Sequence, residues 1–355
     1  MSVEFRTLAA SLPGMRGDGP SDVLKVWLYA AASVVLGAWF APLLYNAGRA
    51  LAEISSAKQT NGFLEWLAGI CRAADFPKYF ETSLLIAAGI LFLPAISWLG
   101  GGRTEEPSIT RKLRLRLPQG ARAKEAGQRL LSNPHGFRQG AVGFLLVTVL
   151  FLLIAGALVM AGVLEWKNPG GALWGMLLRG VVLALVLAVV QEILFRGIAL
   201  GIFLRAMRPA TALGLSAVFF ALVHFLNPPP GLTVPDPDAA GVGFELLWKI
   251  GSQFSEARGV FGIFSPLLAL GFVLAYARWR TASLYLPVGL HAGWIFVSGL
   301  LGSVTLSSIP PDSLMWVISG MALNQGLLPL AGIVIAGVLA NFLTTDRDAA
   351  DPSET

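Results

Sequence analysis

Charge is what this 355-residue chain has little of: Asp, Glu, Lys and Arg together make 13% of it, against about 25% in an ordinary soluble domain. So few charged side chains cannot cover a water-facing surface, which excludes a freely soluble globular protein. With 55% hydrophobic residues and a mean hydropathy of +0.68, lipid is the expected solvent. Cysteine is almost absent, and Cys71 alone excludes an internal disulfide while saying little about redox compartment. There are three histidines, His135, His224 and His291, and no HExxH, so the common helical signature of zinc proteases is missing. The opening MSVEFRTLAASLPGMRGDGP has no early apolar core and no small-residue cleavage site, so the first apolar run is read as a retained anchor rather than a signal peptide. The net charge of +5 sits mostly in loops, where membrane orientation accounts for it, and no nucleic-acid partner is expected.

What is present is a succession of apolar runs. Eight spans are expected: Val26–Leu44, Thr82–Leu99, Ala141–Leu164, Leu173–Leu204, Thr211–Leu226, Phe261–Ala277, Ser283–Leu301 and Gly326–Leu343. Hydrocarbon offers backbone groups no water, so each run should be a helix and no sheet is expected. The fold class is therefore an all-α polytopic bundle of about eight transmembrane helices. The division read from the sequence is a cytoplasmic segment over 1–25, two helices with a basic loop 103–138 over 26–140, a transmembrane core over 141–343 and a cytoplasmic tail over 344–355.

Orientation follows from that loop. Arg103–Arg138 holds nine Lys or Arg and three acidic residues, and short loops this basic stay on the cytoplasmic side. Alternation then puts Lys25, Arg205, Arg208, Arg278 and Arg280 inside, together with both termini. The opposite loops agree, with two basic and four acidic residues in Asn227–Gly259 and no Lys or Arg in Gly302–Asn324. An integral protein of the cell membrane, in contact with lipid, is the expected setting. FLEWLAGI, FELLWKI and SLMWVISGM mix aromatic and apolar residues at helical spacing, as helices lying along a membrane surface or packed on the bundle would. NPPPGLTVPDPD reads as a rigid, turn-forming loop.

Ionisable residues inside spans are costly, and mark either a function or a satisfied structural pair. The fourth span, LALVLAVVQEILFRGIALGIFL, contains Gln191, Glu192 and Arg196. Glu192 and Arg196 stand i to i+4 with the acid first, the favourable order for a helical ion pair, so a purely structural pair is one reading. The fifth span ends in VFFALVHFLN and the seventh contains LPVGLHAGWIF, which puts His224 and His291 within the membrane too. At about 1.5 Å per residue, Glu192 and His224 lie about 20 Å and His291 about 15 Å from the cytoplasmic ends of their helices, so all three can meet at one level.

QEILFRG, FALVH and HAGWI, in that order, resemble the three motifs of the CAAX-protease and bacteriocin-processing family of intramembrane proteases: EExxxR, often closing in FRG, then FxxxH, then HxxxN. GFVLAYARWRTASLYLPVGLHAGW is also similar to the family's stretch leading into the histidine helix, and the resemblance covers about Leu173 to Leu301. It implies an endopeptidase in which the first motif glutamate and the second-motif histidine activate a water, while the third-motif histidine and asparagine hold the oxyanion. Carried over by position, the base falls on Gln191, its partner on His224, and the oxyanion donors on His291 and Ile295, with Phe220 and Gly197 as supporting motif residues. The substrate implied is a membrane-associated or lipidated peptide or protein.

Two positions depart from the pattern. Gln191 is an amide without usable basicity, and Ile295 has no donor. Glu192 matches the second motif glutamate, and because neighbours on a helix point about 100° apart it replaces the base only if the helix rotates or shifts register. The alternative is a catalytically impaired pseudoprotease that scaffolds or binds partners. Glu192, His224 and His291 would also make a His₂-carboxylate zinc site, the cofactor reading weighed against a metal-free one. A channel or transporter is a further class, but no inverted-repeat pattern supports it. Oligomeric state is not legible.

Overall fold

The computed structural model describes residues 19–57, 61–100, 133–168, 170–228, 231–256, 258–308, 323 and 325–345. In chain order the elements are helices α1 (Gly19–Ala57), α2 (Gly62–Ala73), α3 (Phe76–Gly100) and α4 (Gly136–Met160), strand β1 (Leu164–Trp166), helices α5 (Leu173–Ala206), α6 (Pro209–Phe225), α7 (Val242–Ser252), α8 (Ser265–Thr281) and α9 (Tyr285–Val304), strand β2 (Thr305–Ser307) and helix α10 (Leu327–Thr345). The all-helical class expected from the apolar runs holds, and the chain is an integral membrane protein.

Six described helices are long and apolar enough to cross a membrane: Pro20–Ala57, Phe76–Leu99, Gly136–Met160, Leu173–Ala206, Gly259–Thr281 and Tyr285–Val304. Pro209–Phe225 and Leu327–Leu343, where the fifth and eighth spans were expected, are apolar helices of shorter length. The expectation of no sheet is corrected by a two-stranded antiparallel ribbon that pairs Leu164 with Ser307 and Trp166 with Thr305. It lies just past the ends of α4 and α9, where the chain leaves its helices and must pair its backbone groups another way. Lys167 N donates to Val304 O at 2.8 Å and Ser308 N to Val163 O at 3.1 Å, extending the ribbon on both sides.

The chain divides into two compact units, one formed by Thr104–Leu222 with Ser255–Thr355 and the other by Arg16–Arg103 with Val223–Phe254. In the second, α1 lies along α3, and Ser83 Oγ donates to Gly37 O and Tyr29 Oη to Ala88 O. Such hydroxyls satisfy themselves on backbone carbonyls because lipid offers them nothing. FLEWLAGI falls on α2 and FELLWKI on α7, both helical, and α7 packs on α1; SLMWVISGM lies outside the described residues, as do most of the basic loop, most of the N-terminal segment and the tail after Thr345.

In the first unit, α9 is the most buried of the six long helices and α5 the least. α9 packs between α4 and α5 and also meets α8, while α10 packs on α4 and α8. The helix α5 is not regular throughout. After Glu192 it winds as a π-helix over Ile193–Ala199, where Leu200 N–H reaches back five residues to Phe195 O, and it resumes α geometry at Leu200–Ala206.

Candidate active site

The π-helical turn is the local feature from which the site is built. Such turns insert a residue into the helical count and recur at functional positions, because they re-aim side chains on one side of the helix relative to those on the other. Here the turn begins directly after Glu192 and contains Phe195, Arg196 and Gly197. Gln191 and Glu192 both lie in the regular part of α5 that precedes the turn.

Glu192 is fully buried and its Oε1 is engaged twice. Arg196 Nη1 donates to it at 3.0 Å, and His291 Nδ1 lies 2.7 Å from it. A carboxylate oxygen only accepts, so Nδ1 carries the proton in this contact, and Nε2 is the nitrogen left to face other groups. The second oxygen, Oε2, is buried and has no hydrogen-bond partner among the described residues, and the same holds for Arg196 Nε.

Arg196 is 1% exposed. Its Nη2 donates to Gly271 O of α8 at 3.1 Å, and its guanidinium carbon stands 4.3 Å from the centroid of Phe220 on α6. The Phe220 ring meets His291 edge-on at 5.5 Å. Gly271 permits the approach of α8, since a Cβ there would lie 2.9 Å from Ala217 O and 3.1 Å from Phe220 Cδ1. Four helices therefore meet at one ion pair: α5 supplies Glu192 and Arg196, α6 Phe220 and α8 a carbonyl against the guanidinium, and α9 His291 against the carboxylate. Burying this pair costs several kcal/mol per ion in desolvation, which the Coulomb attraction and added hydrogen bonds roughly offset, so its net contribution to stability is small while the loss of one partner is costly.

The remaining sequence-predicted residues are placed as follows. Gln191 is half-buried beside Glu192, and Ile295, one turn after His291 on α9, is also half-buried. His224 is half-buried in the last turn of α6, four residues after Phe220, and falls in the second unit. Gly197 lies within the π-helical turn. One carboxylate oxygen of Glu192 serves Arg196 and His291 at once. Among the described residues, no group of three or more His, Cys, Asp or Glu side chains is gathered as a metal site would require. Sequence reasoning missed Gly271, whose contribution is a backbone carbonyl; the glycine itself was the one available signal.

Residues 172–297 match the family model described as Type II CAAX prenyl endopeptidase Rce1-like. The match takes in all three motif segments and bears out the resemblance expected from about Leu173 to Leu301. Helices α1 to α4 and α10 lie outside it. No curated protein and no solved structure matches the chain.

Proposed function

We propose that the chain is a CAAX-prenyl-protease-like intramembrane endopeptidase that hydrolyses a peptide bond in a membrane-associated or lipidated peptide. The observation that carries this reading is the buried contact between Glu192 and His291, braced by Arg196, inside the segment that matches an endopeptidase family. Peptide hydrolysis needs a base near a water and donors where the oxyanion forms. In this reading Glu192 serves the water through Oε2 and His291 serves the oxyanion from the α9 side, and a water-activating role for His224 is what the family resemblance implies. Gln191 stands at the family's base position and Ile295 at its second donor position, and each lowers the expected rate. The vestibule opens to the cytoplasm or inner leaflet of the cell membrane, with eight helices crossing and both termini inside.

A second reading, a catalytically impaired relative that binds or scaffolds membrane segments, is favoured by a specific observation. Glu192 Oε1 is already shared by Arg196 and His291, so that oxygen is engaged by two groups of the protein rather than open to a water. Incubating the purified protein in nanodiscs with a prenylated CAAX peptide separates the two. The protease reading expects cleavage that His224→Ala abolishes at unchanged thermal stability, and that Glu192→Ala and His291→Ala also abolish. A silent parent that gains cleavage in the Gln191→Glu, Ile295→Asn double variant would establish the impaired reading instead. No cofactor is assigned to this chemistry; cleavage lost on chelation and restored by Zn²⁺ would overturn that assignment and return Glu192, His224 and His291 as ligands.

A further inference from the structure

Helix α4 lies outside the segment that matches the family model, and none of the motif residues is on it. It nevertheless packs along α9, and the contact is backbone against backbone. A Cβ placed on Gly289 would stand 2.0 Å from Gly140 O, one on Gly143 would stand 2.9 Å from Leu290 N, and one on Gly293 would stand 2.7 Å from Phe144 O. Non-bonded carbons and oxygens at such separations are deep in repulsion, so no side chain fits between the helices at these three levels.

The position of these glycines relative to His291 gives the contact its meaning. Gly289 is two residues before His291 and Gly293 two after. At about 100° per residue both lie about 200° around the helix from it, on the face of α9 opposite the imidazole. On the imidazole face is Glu192 of α5 at 2.7 Å, a separation with no slack for a closer approach. α9 is thus held between α4 behind and Glu192 in front. Further along the same interface Phe151 meets Trp294 edge-on at 5.1 Å and Phe144 meets Phe296 at 5.5 Å, which fixes the rotation of α9 as well as its distance.

We infer that α4 is a positioning element of the site: its Gly140–Phe144 backbone is the backstop that sets the Glu192–His291 distance, so the functional module begins near Gly136 rather than at residue 172. This rests on the reading of His291 as a working group of the proposed protease. A methyl at Gly289 forces α4 and α9 apart or drives α9 towards α5, and either movement alters the Nδ1–H to Oε1 bond.

The test exploits the chain's three histidines. Full-length protein in nanodiscs, labelled with ¹⁵N-histidine, gives three imidazoles, with assignments made by His135→Gln and His224→Gln. The parent should show a downfield, slowly exchanging Nδ1 proton for His291 that Glu192→Gln shifts. Gly289→Ala and Gly293→Ala should shift or remove it while helicity and monodispersity stay normal. Gly156→Ala, on α4 where a Cβ would meet nothing within 4 Å, should leave it in place. If Gly289→Ala does not fold, Gly140→Ala, whose Cβ would meet Tyr285 O at 3.3 Å, is the milder probe and should shift the signal in a folded protein. A parent-like His291 signal in folded Gly293→Ala and Gly140→Ala overturns the inference. Cleavage of the prenylated peptide reads the other hypothesis: in an active parent Gly293→Ala should cost about 10²-fold in rate. A moved signal in a chain that never cleaves supports the backstop while defeating the protease reading. An unmoved signal in an active enzyme does the reverse.

Discussion

Glu192 and His291, ninety-nine residues apart in the chain, meet through one oxygen and one ring nitrogen at 2.7 Å, and that same oxygen accepts from Arg196. The carboxylate is thus the shared anchor of a cation and an imidazole. Its removal should strand the Arg196 charge in a site with no other anion among the described contacts. Glu192→Ala is expected to cost about 3–5 kcal/mol, the usual penalty for leaving half of a buried pair. Replacing both ends, Glu192→Gln with Arg196→Met, should recover much of that loss. Thermal unfolding in detergent micelles of the two single variants and the double variant measures the coupling; additive losses would show that the two side chains do not act as a pair.

The Phe220 ring touches both Arg196 and His291, and it is completely buried. Phe220→Leu keeps most of the apolar volume but removes the ring face from the guanidinium and the ring edge from the imidazole. A desolvated cation–π contact is worth about 2 kcal/mol and an aromatic pair about 0.5–1.5 kcal/mol. The expected result is a clearly lowered unfolding temperature, with a larger drop than Phe219→Leu gives at a ring that packs on Phe195 and Phe203. Equal drops would mean that Phe220 is ordinary packing.

Most of this arrangement was legible because burying an ionisable group is expensive and such a group stands out. Glu192, Arg196 and His291 declared themselves as polar residues in apolar runs, and helical rise alone put Glu192 and His291 at one level. The π-helical turn over Ile193–Ala199 was not legible, since a change of hydrogen-bond register leaves no mark in composition. The ribbon of Leu164–Trp166 with Thr305–Ser307 was missed for a similar reason: it is made from short chain ends whose pairing depends on where two distant helices stop. Hydropathy registers apolar character and not the residue at which a helix breaks, so it did not separate the six described helices of membrane length from the shorter Pro209–Phe225 and Leu327–Leu343. The role of α4 was invisible because glycines signal close approach without naming the partner.

Ile295 lies one turn beyond His291, on the helix that carries the oxyanion histidine in the proposed reading, and has no group to donate. A single oxyanion-hole donor is worth about 10²–10³ in rate. If the site hydrolyses peptides, Ile295→Asn should raise the turnover of a prenylated peptide by a substantial part of that factor with little change in KM. An unchanged rate in a folded, active variant would remove position 295 from the oxyanion site.

The helices α2 and α7 turn large apolar side chains outward: Phe63, Trp66 and Ile70 on α2, and Phe244 with Trp248 on α7, where Trp66 is 60% and Trp248 77% exposed. Amphipathic helices of this kind settle about 5–10 Å into the boundary between headgroups and acyl chains. Variants that retain one tryptophan should show strong quenching of Trp66 and Trp248 by lipids brominated near the headgroup. Trp294, 8% exposed and packed on Phe151, should be protected. Quenching of Trp66 or Trp248 by aqueous iodide, with lipid quenchers ineffective, would place that helix in water instead.

At 17 residues, Pro209–Phe225 extends about 26 Å, short of a hydrocarbon core of about 30 Å. A short apolar helix still crosses when the bilayer thins locally or flanking polar residues reach outward, at a cost of fractions of a kcal/mol per Å. The flanks suit this, with Arg205 and Arg208 before the helix and the proline-rich loop with Asp236 and Asp238 after it. In a Cys71→Ser background, which removes the chain's one thiol, Arg208→Cys and Asp236→Cys should react with a membrane-impermeant maleimide from opposite sides of sealed vesicles, Asp236→Cys from the outside. Reaction of both from the same side would make α6 a re-entrant helix, reduce the number of crossings and reverse the inside assignment of every loop that follows it.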